Sequence, residues 1–491
     1  MGGGNQNAGP NRRAVVRGIA GGVLASALPG AAMAQGRPLH LVAAEHAKRV
    51  AAGDTRPLVL LGPDGAGANL APVMAKFHEL TGIKVQLVEE NPLNLNTRIS
   101  LLAMTGNVAF DVGLPTSNGL PELASTGVIQ PFDHFVDTYE PPGFRDGSLY
   151  NVADKFDGKY FGFQTDGDVY LMYYKRAFLE SRDEQAAYAD RFGVPLGIAS
   201  TWEELDQQMR WFHRPDQDQY GGLMFRIPGY FAWEWWSRFH AKGVWPFSPQ
   251  MDAQIGGDAG IETLEDMVRA TAYLHPATNQ ASIFENWNVF FKQNIFSNIG
   301  WGGAHKLFKR SEFFDPNAIV NSGLPGGQDP ETGAYFPCSY FNWGKNYVVS
   351  ASTDRPELAY LYCLFAASPV ISTLSVGQIG GFFDPFREEH YADPAIQQVY
   401  GDALLQVHRQ GMIDAIPDLY LKNQAEYFRV LDEAIAQAVA GTLTAPQAMT
   451  RAAQLWELIT SRSGRAQQIK RWTLLREKYP QKVSQWLRNT S

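Results

Sequence analysis

Few residues of this 491-residue chain are arranged for covalent chemistry. Gly65-Ala66-Gly67 opens a dinucleotide-binding pattern, but Leu70 stands where the third glycine must allow close helix–strand packing. His78-Glu79 begins a zinc-protease helix, but Gly82 replaces the second histidine. No GxxxxGKS/T phosphate loop and no GxSxG nucleophile elbow occurs. Carboxylates are plentiful, but a glycosidase pair is defined by a separation in space and nothing in the sequence singles out two of them. The reading therefore assigns no catalytic residue, no metal ligand and no cofactor. Residues whose chemistry would suit a binding site can still be named. Asp64 lies in the loop Gly62-Pro63-Asp64-Gly65, Asp166 and Asp168 flank Gly167, and a carboxylate accepts two hydrogen bonds from vicinal hydroxyls. Trp301 precedes Gly302-Gly303, glycines that favour its exposure, and a flat indole suits the apolar C–H face of a sugar. The competing readings are an aspartate pair satisfied by its own turn backbone and a tryptophan at a core strand end.

The elements that must position these groups are legible locally. Pro57 to Leu61 is an apolar run that stops in a turn, so it reads as a buried strand. Asn69 reads as an N-cap, followed at helical spacing by Leu70, Val73, Met74, Phe77 and Leu80 and closed by Gly82. Ile83, Val85 and Leu87 then alternate as the next strand. This is a strand–helix–strand crossover of a parallel sheet, and ligands of such sheets sit beyond the strands' carboxyl ends, where Asp64 lies. Further on, Leu95 to Met104 and Leu120 to Thr126 read as helices, Phe110 to Leu114 and Val169 to Tyr174 as strands, and Ser200-Thr201-Trp202-Glu203-Glu204 as a helix start. Phe225 to Trp245 is dense in rings, with Trp233 and Trp236 on one helical face and Trp235 and Phe239 on another. Such a helix is mostly core, and Trp235 is its candidate for reaching a ligand. Asn298 to Gly303 reads as a strand end opening into a flexible loop, Ala395 to Ile459 as helical, and Gly464 to Ser491 as a peripheral amphipathic tail.

Composition narrows the class. Apolar residues make up 45% and charged residues 19%, enough for a well-buried core and too few charges for global disorder. The net charge is −8 with no long basic run in the middle, which argues against nucleic acid as the partner. Arg12-Arg13, the mild apolar segment Gly18 to Leu28 and Ala32-Met33-Ala34 read as a twin-arginine export signal over residues 1–34, cleaved before Gln35. The apolar segment is too short to span a membrane, and no cysteine follows it for a lipid anchor. The expected product is soluble and periplasmic. Cys338 and Cys363 are the only cysteines; export permits a disulfide, but spacing alone cannot bring their Cα atoms together, and two buried free thiols are expected.

Several ordered marks resemble the family 1 extracellular solute-binding proteins, whose members include the maltodextrin-binding protein. They are Asp64, Lys76-Phe77 and Thr81-Gly82-Ile83-Lys84-Val85; the segment Asp111 to Phe132; Gly158 to Gln164 followed by Tyr173-Tyr174-Lys175; Thr201-Trp202-Glu203-Glu204-Leu205; Pro356-Glu357-Leu358-Ala359; and Gly441 to Ala448. Gln164 departs from the family's proline. The resemblance, which covers roughly residues 57–459, implies an α/β, two-lobed periplasmic-binding-protein fold with interleaved lobes and a hinge. Lobe 1 is expected over 57–167 plus 336–378, lobe 2 over 168–335 plus 379–460, and a tail over 461–491. It further implies ligand contacts from Thr116, Ser117 and Asn118, whose rival role is a helix cap. Asp166 and Asp168 are expected to face the cleft at the hinge, Trp343 to lie in a loop toward it, and Trp301 and Phe428 to stack on sugar. The implied function is capture of a carbohydrate or polyol by a monomer that delivers it to ABC permease subunits. A polyamine or other cationic solute, and a glycoside-acting enzyme, are the alternatives.

Overall fold

The computed structural model describes Met1, the strand Met33–Ala34, and residues 36–104, 109–329 and 331–489. The export-signal reading falls on residues 1–34 and so lies almost wholly outside the described residues.

Nine strands build the two main sheets: β1 (Leu58–Pro63), β2 (Val85–Glu90), β3 (Val112–Gly113), β4 (Phe163–Gln164), β5 (Leu171–Lys175), β6 (Tyr220–Leu223), β7 (Ile295–Gly300), β8 (Ile319–Gly323) and β9 (Asn346–Val349). The first sheet has the order β2-β1-β3-β9-β4, with β1 parallel to β2 and β3, and β9 antiparallel to β3 and β4. The second has the order β6-β7-β5-β8, with β6 parallel to β7, and β5 antiparallel to both its neighbours. The chain thus leaves the first sheet between β4 and β5, returns between β8 and β9, and leaves again after the helices Pro356–Ala367 and Pro369–Val376. Beyond that third crossing, the Asp402–Ile413 helix packs on β8 and the Gln424–Val439 helix on the Phe231–Ala241 helix. The lobes are interleaved as the marks imply.

Local sequence accounts for the first crossover. The apolar β1 is buried, and the edge strand β2 alternates half-buried and exposed over Val85 to Val88. Gly82 ends the following helix at φ +78°, its amide bonded to the His78 carbonyl at 2.8 Å, a backbone that only glycine adopts freely. Asn69 is not the cap. The helix spans Gly67–Thr81, and Asn69 sits inside its first turn, fully buried. Its side chain donates to the Ser375 carbonyl at 2.8 Å and accepts from the Phe382 amide at 2.9 Å. A polar residue that looks like a local cap therefore ties the first lobe to the third crossing, where a buried amide must find partners.

Two other readings change. The Phe110–Leu114 strand shortens to Val112–Gly113, although the Asp111 backbone still bonds Val59 and Ser350 on either side and its carboxylate pairs with Arg355 at 2.9 Å. The flexible loop after Asn298 does not form: β7 runs to Gly300 and the helix Gly302–Lys309 follows at once. Gly302 serves close packing rather than mobility, since a Cβ there would lie 2.7 Å from the Asp384 carboxylate. Both cysteines are free and buried. Among the described residues no single helix is long and apolar enough to cross a membrane.

The ends of the described chain clasp the body. The Leu39–Ala51 helix packs Ala43, Ala44 and Ala47 beneath the Pro356–Ala367 helix. The tail is more than a solvated amphipathic helix. Trp472 in the Arg465–Arg476 helix is fully buried against Trp245 and Phe247, and Trp486 stacks on Phe336. Arg471 reaches back to Asp157 beside the first sheet, with bonds of 2.7 and 2.9 Å. Trp472→Ala should therefore destabilise the protein by about 3–5 kcal/mol in urea unfolding, the cost of emptying a packed indole site; a solvated tail would give a change within about 0.5 kcal/mol.

Candidate functional site

The three crossings meet in one buried group of charges. Asp166 and Asp168 come from the first, Lys345 from the second, Asp384 from the third, and Lys306 from the helix that follows β7; all five are buried. Lys345 Nζ lies 3.2 Å from Asp168 and 3.5 Å from Asp166, and donates to the Trp343 carbonyl at 3.1 Å. Asp166 accepts from the Asp384 amide at 2.8 Å. Asp384 accepts from Tyr400 at 2.6 Å and from the Gly303 amide at 3.1 Å. Lys306 donates to the carbonyls of Val376 and Phe383 at 2.8 and 2.6 Å. Gly167 permits this convergence, because a Cβ there would lie 1.9 Å from the Pro385 carbonyl oxygen.

Three carboxylates around two ammonium groups shift one another. Burial raises Asp166 and, with help from the Asp166 charge, raises Asp168 further. Burial, then the Asp166 charge, pushes Asp384 up to about 7, while burial brings Lys306 down to about 8. The turn-backbone reading of the aspartate pair thus describes only a part of it, since the carboxylates meet lysines and amides from distant segments.

Beside this cluster stands a group of rings. Trp343 lies 5.0 Å from Trp233 at 79°, 6.2 Å from Tyr230 at 23°, and 6.5 Å from Trp301. Its ring centroid is 5.5 Å from Lys345 Nζ. Trp301 stacks on Tyr170 at 4.7 Å and its indole N–H donates to Asn342 at 2.9 Å. Trp343 is half-buried and holds φ at +71°, a left-handed backbone that is uncommon for an aromatic residue.

The structure sorts the candidates. Asp166, Asp168, Trp301 and Trp343 come together in this one region. Trp301 is only 3% exposed, contrary to what its flanking glycines suggest, because those glycines are spent on the approach of Asp384 and Phe382. Asp64 is exposed, and its neighbour Gly65 packs against Phe382 of the third crossing. Thr116 and Ser117 are buried and committed: Asn96 and Asn118 bond Thr116, Asn346 bonds the Ser117 hydroxyl at 2.6 Å, and the Ser117 amide donates to the Gly344 carbonyl. They buttress the segment that presents Trp343 and Lys345. Asn118 is half-buried and faces Asp418. Phe428 packs on Trp236 at 5.3 Å. Trp235 stacks on Phe239 at 4.7 Å within the core, as their shared helical face requires. Trp233, about 200° around the helix from Trp235, is the one directed at Trp343. Trp233, Tyr230, Lys345 and Asp384 are the residues of this region that sequence reasoning passed over, while Asn342 was expected with Trp343 in a loop toward the cleft. The left-handed Trp343 backbone leaves no trace in sequence, but Trp233's membership of the opposite face was available.

Removing one charge from such a cluster leaves its partners buried and unpaired. Lys345→Met should lower stability by about 3–5 kcal/mol in denaturant unfolding near neutral pH; the loss should shrink in acid, where the raised carboxyls of Asp166 and Asp168 are already neutral.

Residues 73–400 match the bacterial extracellular solute-binding protein family. No curated protein matches the chain in sequence. Solved structures agree with the architecture. A solute-binding protein of an ABC transporter from Agrobacterium radiobacter K84, in complex with ribitol, superposes with a TM-score of 0.68 at 15% identity, covering 82% of this chain and 100% of that one. One from Agrobacterium vitis S4 with bound D-mannitol gives 0.67 at 16%, covering 83% and 99%. Maltose-bound MalE3 of T. maritima gives 0.67 at 15%, covering 82% and 99%. At these identities the likeness establishes the two-lobed periplasmic-binding-protein fold, and the family match over two thirds of the sequence establishes descent: this chain belongs to the bacterial extracellular solute-binding proteins.

Proposed function

We propose that this chain is the exported, periplasmic capture component of an ABC importer, taking a sugar or polyol between its lobes and presenting the closed form to the permease. The observation that carries this reading is the cage of Trp343, Trp233, Tyr230 and Trp301 set directly against the Lys345–Asp166–Asp168 cluster. Rings take the apolar C–H face of a polyol, and charged groups bond its hydroxyl edge. Family membership and the sugar- or polyol-bound structural neighbours support it. The lobes, taken as 57–167 plus 336–378 and 168–335 plus 379–460, would close around the junction by hinge motion. Asp64 at the rim and Asn118 at the seam are the polar groups best placed to meet a solute as the lobes close. The protein binds its solute without turning it over and acts as a monomer.

Thermal unfolding against ribitol, D-mannitol, maltose and spermidine tests this. A bound solute at a hundred times its Kd adds about 2.7 kcal/mol and raises Tm visibly. A sugar or polyol should do so and be recovered unchanged; a response to spermidine alone would replace the solute class, and consumption of the sugar would end the importer reading. Trp343→Ala should weaken the effective solute by roughly tenfold or more in calorimetric titration, since a central ring carries a large share of binding energy.

A further inference from the structure

One buried acid is used by neither the ring cage nor the hinge cluster. Asp418 follows the strand Ala415–Ile416, which pairs in parallel with Ser339–Tyr340. Its side chain is fully buried. Oδ1 accepts from the Leu419 amide at 2.7 Å and from Gln424 at 3.4 Å. Oδ2 has no hydrogen-bond partner, and neither has the hydroxyl of Tyr150 or of Tyr340. Tyr340 and Asn118 nevertheless lie close enough to act as side-chain donors to the carboxyl, and Tyr420 lies close enough to bond Tyr150, though none of these contacts reaches good hydrogen-bond geometry. No Lys, Arg or His is among the principal influences on Asp418; the further charged or titratable neighbours that feel it are Tyr150, Tyr340, Tyr420 and Tyr479, with Asp154 beyond Tyr420. Other buried acids of this protein are compensated: Asp111 by Arg355, Asp154 by Arg145, Glu234 by Arg226 and Arg238, and Asp432 by two backbone amides.

The position of this group is as telling as its chemistry. Asn118 and Tyr150 precede the first crossing, Asp418 and Tyr420 follow the third, and Tyr340 belongs to the second. The Tyr340 ring meets Tyr170 edge-on at 6.1 Å, and Tyr170 stacks on Trp301. A carboxyl with an oxygen free of any well-formed hydrogen bond thus lies on the seam between the lobes, two rings, Tyr340 and Tyr170, from the aromatic cage. Burying an acceptor without a donor costs folding free energy, and a solute hydroxyl delivered to it would restore the missing bond.

We propose that Asp418 is a solute-recognition residue, whose free oxygen, with the hydroxyls of Tyr150 and Tyr340, bonds a hydroxyl of the polyol or sugar enclosed between the lobes. This rests on reading the lobe junction as the solute site. It makes Asp418 a residue kept at the expense of stability, as binding groups often are. Burial pushes its carboxyl up to about 7. A carboxyl raised above its unfolded value of about 3.9 contributes stability that is fully present below that value and lost as pH rises through about 7.

The test uses the full chain, Asp418→Asn, and Tyr340→Phe as a milder second variant. Without solute, Asp418→Asn should melt higher than the parent at about pH 8 and much like it at about pH 4, because the amide cannot ionise. With whichever of ribitol, D-mannitol or maltose stabilises the parent, both variants should bind more weakly, Asp418→Asn by at least about tenfold. A lower Tm for Asp418→Asn at about pH 8, or unchanged affinity in both variants, overturns the proposal. If none of the three probes stabilises the parent, the sugar or polyol reading has failed and the proposal, which rests on it, is overturned with it; if a probe stabilises the parent and both variants alike, only the proposal for Asp418 has failed.

Discussion

The burial of Lys345 between Asp166 and Asp168 is the constraint on which the rest of the molecule depends. An ammonium group withdrawn from water is tolerated only where carboxylates and carbonyls surround it. Here those partners come from different crossings of the chain. Asp166 accepts the amide of Asp384, Asp384 accepts from Tyr400 and Gly303, and Lys306 closes the arrangement on the carbonyls of Val376 and Phe383. Each connection between the lobes is therefore fastened to the other two at one point. In the proposed closure the lobes would turn about this point, because breaking it would strand charges in a low-dielectric interior.

The proposed recognition surface is built outward from that junction. Trp343 is two residues from Lys345, in a backbone conformation that only its surroundings can impose. Ser117 supports the Gly344 carbonyl, and Asn342 receives the indole N–H of Trp301. The rings are consequently positioned by the same segment that supplies the buried cation. An apolar face and a polar edge stand side by side without either belonging to a flexible loop, the preorganisation that a sugar or polyol site needs.

The structure also separates residues that bind one another from residues left open. Thr116 and Ser117 have every reason to look like ligand groups, and they are used up on the side chains of Asn96, Asn118 and Asn346. Asp418 carries no motif and stands in no expected loop, yet its Oδ2 is among the buried polar atoms at the seam without a well-formed hydrogen bond. The C-terminal tail, beyond the residues that match the family, is fastened to the second lobe by Trp472 and touches the first through Arg471 and Asp157.

Sequence alone determined what is local. The apolar run of β1, the helix closed by Gly82, the cap at Thr201 and the pairing of Trp235 with Phe239 on one helical face all follow from residues within a turn or two of each other, where steric and hydrogen-bond preferences decide. The ordered marks extended this to the two interleaved lobes. Tertiary structure alone decided which polar groups meet. Asn69 is a cap by its neighbours and a strut to the third crossing by its partners, which lie more than 300 residues away. Lys345 finds Asp166 across 179 residues, and Trp233 rather than Trp235 faces Trp343 because the helix is rotated by its packing. Periodicity tells which residues share a face; only the packing of one sheet and its helices against the other tells what that face meets.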